Sequence, residues 1–103
     1  MSRPYVIVVR PRAREDIAEA AVWYELRAEG LGIRFRSVVE STLSAIAGAP
    51  EQFRVVHRDV RRAILADFPY ALYFVVRGET VQVLACTHGR RRPRRWQSRR
   101  RDL

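Results

Sequence analysis

Eight arginines crowd the stretch from Arg90 to Arg101, and only Asp102 opposes them. All 20 basic residues are arginine, and no lysine occurs. Residues 89–103 carry +7 of the formal +9, so residues 1–88 are close to neutral at +2. A guanidinium is a planar fork of donors that matches a phosphate or carboxylate, and Trp96, set among these arginines, could stack on a base or fill a groove. The chemistry on offer is therefore binding of an anionic partner through Gly89-Arg90-Arg91-Arg92-Pro93-Arg94-Arg95-Trp96. The alternative is a solvated basic tail, and the lack of lysine reads as the codon habit of a genome rich in G and C.

Other reactive side chains are sparse. His88 ends a strand-like segment beside the arginines; their charge favours its neutral form, which suits a general base, and a histidine that merely ends a strand fits equally. His57 falls between a helix and a strand and is given no role. Cys86 alternates with Leu84 and reads as an inert core thiol. Glu15, Asp16, Glu19 and Glu25 read as the solvated face of the first helix, with Trp23 and Tyr24 as packing residues. There is no Gly-rich phosphate loop, no HExxH and no Cys/His spacing for zinc, so no metal and no cofactor are expected.

Composition bounds the remaining possibilities. The 103 residues make one domain with a single core, and 48% hydrophobic content argues against global disorder. One cysteine forms no intrachain disulfide. The longest apolar run, Tyr5 to Val9, is too short to span a bilayer, and the N-terminus has no secretory h-region. A cytoplasmic setting without membrane contact is expected.

The elements that must position these residues follow from periodicity. Tyr5 to Val9 reads as a strand buried on both faces, closed by Pro11. From Arg12 to Glu29, Ala13, Ile17, Ala20, Ala21 and Tyr24 share one helical face, with acids crowding the start. Gly30-Leu31-Gly32 breaks this helix. Leu31, Phe35, Val38, Val39, Thr42, Leu43 and Ile46 mark a second, ended by Gly48-Ala49-Pro50. Strands follow at Val60 to Ala66, Tyr70 to Val76 and Thr80 to Thr87, the last two joined at Arg77-Gly78-Glu79, where Gly takes positive φ. The last strand places Val81, Val83 and Ala85 on one face and Gln82, Leu84 and Cys86 on the other. The fold class is α+β, in the order β-αα-βββ, a helical hairpin packed on a small, mainly antiparallel sheet. Residues 1–88 form the folded unit, and 89–103 form a basic tail too polar to order by itself.

These pieces resemble the RelE/ParE superfamily of toxins from type II toxin–antitoxin modules. The resemblance rests on Asp59-Val60-Arg61-Arg62-Ala63-Ile64-Leu65, on Phe68-Pro69-Tyr70-Ala71-Leu72-Tyr73-Phe74-Val75-Val76, and on His88-Gly89-Arg90-Arg91-Arg92-Pro93. Ala20-Ala21-Val22-Trp23-Tyr24 followed by Gly30-Leu31-Gly32-Ile33-Arg34-Phe35 is also typical, and nearly the whole chain is covered. The resemblance implies one of two activities. RelE-like members cleave messenger RNA in the ribosome; ParE-like members poison DNA gyrase and are not known to be enzymes. Ala71 stands where RelE-like toxins carry an arginine, Arg62 and Ile64 where they carry two lysines, and Trp96 near their catalytic tyrosine. The ending from His88 to Pro93 is closer to ParE.

The first expectation is therefore a gyrase inhibitor with no catalytic residues, engaging gyrase or its DNA complex through Arg90, Arg91, Arg92, Arg94, Arg95 and Trp96. A ribosome-dependent endoribonuclease would retain Arg62, His88 and Arg91. A non-toxic co-repressor is the third reading. The resemblance also implies a cognate acidic antitoxin, ParD-like or similar, bound in a hetero-oligomer along an apolar groove involving Trp23, Phe35, Val39 and Tyr73.

Overall fold

A computed structural model describes residues 3–89, 94–101 and 103. Strand β1 (Val6–Val9) leads into helix α1 (Pro11–Arg27), helix α2 (Leu31–Gly48) and a single 3₁₀ turn at Pro50–Gln52. Strands β2 (Arg54–His57), β3 (Val60–Ile64), β4 (Tyr70–Arg77) and β5 (Thr80–His88) follow, then helix α3 (Arg94–Arg100). The sheet order is β1-β5-β4-β3-β2. Among the described strands only the β1–β5 pair is parallel.

The helical hairpin closes through its small residues. Ala13, Ile17, Ala20 and Ala21 of α1 are buried, as their spacing required. Gly32 lies so close to α1 that a Cβ there would stand 2.5 Å from the Ala21 carbonyl oxygen. Glu25 is not simply solvated: its carboxylate accepts from the backbone N–H of Gly30 (2.8 Å) and Gly32 (2.9 Å), satisfying orphan donors at the start of α2. Phe35, Val39 and Ile46 carry the buried face of α2 onto Leu72, Phe74, Val81 and Val83 of the sheet.

Several expectations need correcting. β2 exists, so the order is β-αα-ββββ. Four residues, a turn with Arg58 at φ 49° and a register shift hide β2 from any periodicity. β1 is an edge strand, with Val6 61% exposed, because only β5 pairs with it. No acid occupies the first turn of α1; Arg12 and Arg14 stand there instead. Strict alternation along β5 fails at a bulge. Tyr73 pairs with Ala85 and Phe74 with Val83, so Leu84 is the extra residue. Leu84 and Ala85 then share the far face with Tyr73, and Cys86 turns to the helices. Gly78 takes φ 62°, as the turn demands.

Residues 94–100 of the tail form helix α3, and they do so against the body, not by themselves. Trp96 supplies the apolar surface that composition understated. It completes a second cluster with Val60, Tyr73, Val75, Leu84 and Ala85 on the sheet face opposite α1 and α2.

Candidate functional site

Helix α3 is bolted to the body at three points. The Trp96 ring stacks on Tyr73 at a centroid distance of 4.6 Å with 9° between planes, and His57 meets its edge at 5.6 Å. Arg99 reaches Asp16 with both terminal nitrogens, at 2.5 and 3.2 Å, and donates to the Leu84 carbonyl. Arg100 donates to Asp59 at 2.6 Å, and the other Asp59 oxygen takes Arg77 at 2.8 Å. The Arg100 hydrogen bond, with Arg77 behind it, holds the Asp59 carboxyl below its ordinary range.

Asp16 is the residue that sequence reading most misjudged. It is buried, not solvated, because three donors converge on it: the two Arg99 nitrogens and the Cys86 backbone N–H at 3.0 Å. Its partners lie far along the chain, and no local pattern marks them. Burial first, and the Asp16 charge second, push the Cys86 thiol up to about 12.

The described residues on both sides of the arginine-rich stretch are held to the body. Before it, the Gly89 N–H donates to the Pro69 carbonyl at 2.8 Å. After it comes α3. Arg90, Arg91 and Arg92 lie outside the described residues, as do the side chains of Arg94 and Arg95. Trp96 was expected to meet the target; it is 6% exposed and anchors the helix instead.

The endoribonuclease set is not assembled on one surface. Arg62 pairs with Tyr73 on the α3 face of the sheet. His88 packs its ring against Tyr70, which belongs to the helix-side core. Arg91 lies outside the described residues.

The expected apolar groove is also rearranged. Phe35, Val39 and Tyr73 are core residues and offer no surface, since Phe35 stacks on Tyr24 and Tyr73 lies under Trp96. Trp23 alone of the four is presented, 48% exposed, with the Arg27 guanidinium 3.9 Å above its ring. It lines a groove of about 500 Å³ between α1 and the ends of β4 and β5, shared with Glu19, Tyr24, Tyr70 and His88. Val22, Leu26 and Ile33 add exposed apolar side chains on the two helices. Among the described residues no cluster of ligands suits a metal, and no helix is long and apolar enough to cross a membrane.

A helical hairpin on one face of a five-stranded mixed sheet, followed by an arginine-rich C-terminal segment, makes this an α+β protein of one compact layer pair. A family model described as "ParE toxin of type II toxin-antitoxin system, parDE" matches residues 7–93, and the chain belongs to this family. Among solved structures it is similar to "Chromosomal ParDE TA system from P. aeruginosa". That likeness has a TM-score of 0.72 at 16% identity and covers 84% of this chain and 98% of that one. No curated protein gives a significant match.

Proposed function

We infer that this toxin inhibits DNA gyrase, in the cytoplasm, and that a cognate acidic antitoxin holds it inactive in a hetero-oligomer. The observation that carries the reading is the anchoring of the described residues on either side of the arginine run. Gly89 is tied to Pro69, and α3 is tied through Trp96, Arg99 and Arg100. The described flanks of Arg90, Arg91 and Arg92 are thus held to the body, and these three residues supply positive charge that an anionic surface would meet. The mechanism is binding, without a cofactor. The separation of Arg62 from His88 across the sheet weighs against the endoribonuclease reading.

The test is a supercoiling assay with purified gyrase, run beside a translation reaction read for message cleavage. The toxin is expected to stop supercoiling and accumulate gyrase-linked DNA breaks while transcripts stay intact. Arg90→Gln, Arg91→Gln and Arg92→Gln together should abolish this inhibition. Cleavage of ribosome-bound message with supercoiling unimpaired sinks the reading.

A further inference from the structure

We propose that a second basic surface, separate from the arginine run, binds the phosphodiester backbone of duplex DNA. A hollow of about 470 Å³ is lined by Arg10, Arg77, Gln82, Arg100, Arg101 and Leu103. Four guanidinia from three distant parts of the chain meet there: the β1–α1 junction, the end of β4 and the end of α3. Asp59 pairs with Arg77 and Arg100. Among the described residues, Arg10 and Arg101 have no carboxylate partner. A smaller hollow adjoins through the shared Arg10 and adds Arg12, also without an ion pair, and Arg99, which Asp16 neutralises.

Gathering like charges costs free energy unless anions enter among them. Asp59 is shared by Arg77 and Arg100, and among the described residues Arg10 and Arg101 have no ion pair, so the hollow keeps two guanidinia open to an anionic ligand. The ligand's class follows from what else lines it. Among the described lining residues there is no aromatic ring and one aliphatic side chain, Leu103. Protein interfaces bury aromatic and apolar anchors at their centre. Single-stranded nucleic acid needs rings on which its bases stack. Duplex backbone needs neither: its affinity comes from fixed cations set against phosphates. Asp59 fixes Arg77 and Arg100, while Arg10 and Arg101 remain available to phosphate oxygens.

The proposal is tested without gyrase. Anisotropy of a short fluorescein-labelled DNA duplex is titrated with the full-length toxin over a series of salt concentrations. Arg10→Gln and Arg101→Gln are expected to weaken binding severalfold, and each to reduce the salt slope by about 1. Their side chains make no hydrogen bond to the described body, so circular dichroism should be unchanged. Unaltered affinity and slope in the double variant overturn the proposal. So does tighter binding to single-stranded RNA, or a loss confined to antitoxin affinity. A toxin that binds duplex DNA through Arg10 and Arg101 yet leaves supercoiling untouched defeats the gyrase reading and leaves this one standing.

Discussion

Asp16 and Arg99, 83 residues apart, close a two-point ion pair that ties the first helix to the last. Both side chains are largely buried, so the pair sits where solvent screening is weak. The same carboxylate holds the Cys86 N–H beside the β5 bulge. One residue thus links α1, the irregular strand and α3.

Removing that carboxylate leaves a buried guanidinium and an amide without an acceptor. Asp16→Ala should cost about 3 kcal/mol in urea denaturation, within the range for breaking one side of a buried pair. It should also free α3. In a Trp23→Phe background, Trp96 is the only tryptophan, and its emission is expected to shift to the red as it leaves Tyr73. An unshifted spectrum would mean that Trp96 and Arg100 hold α3 without Asp16.

The helix hairpin has its own weak point. Gly32→Ala forces a methyl group to within 2.5 Å of the Ala21 carbonyl and crowds Glu25, whose Oε1 would be 3.0 Å away. Helix propensity favours alanine, yet the clash should dominate, for a net loss of about 1–3 kcal/mol. Glu25→Ala removes the bonds to Gly30 and Gly32 and should cost about 1 kcal/mol, as loss of a cap does. Midpoints of thermal unfolding compare the two; a greater effect at Glu25 than at Gly32 would contradict the steric account.

What the sequence declared and what it concealed divide along physical lines. The limits of α2, the run of β4 and the turn at Gly78 were legible because period and turn chemistry are local. The apolar run of β1 was legible as a strand, but an apolar run cannot tell an interior strand from an edge. Strand β2 was too short to show a period. The bulge at Leu84 depends on pairing with β4, and it moved Cys86 to the other face. Asp16 looked like one more acid on a solvated helix because its partners come from the other end of the chain. Phe35, Val39 and Tyr73, expected along the groove, are buried for a different reason: apolarity alone does not separate core from surface.

Cys86 should behave as an unreactive thiol. Its folded pKa of about 12 lies above the ordinary 9.0, so unfolding releases its proton first. That contribution to stability is complete below about pH 9 and falls as pH rises toward 12. Reaction with a disulfide reagent at pH 8 is expected to follow the unfolding rate, and Cys86→Ala should flatten the alkaline decline of the urea midpoint. Rapid labelling of the folded toxin would show that the thiol is reached from solvent.

Trp23 offers the sharpest test of the antitoxin surface. Its ring is half exposed, beside Val22 and Leu26 and above the groove that His88 borders. Truncation should change stability by no more than about 1 kcal/mol, mostly from the lost Arg27 contact. Exposed tryptophans at interfaces act as anchors, so Trp23→Ala should weaken binding to the cognate antitoxin by tenfold or more, about 1.4 kcal/mol or greater. Phe35→Leu is the control: it perturbs the core and should lower the melting temperature with little change in affinity once folded. Calorimetric titration of both variants decides the matter. Equal affinities for Trp23→Ala and the parent toxin would move the antitoxin's seat away from this groove, toward Ile33 or the exposed β1 edge.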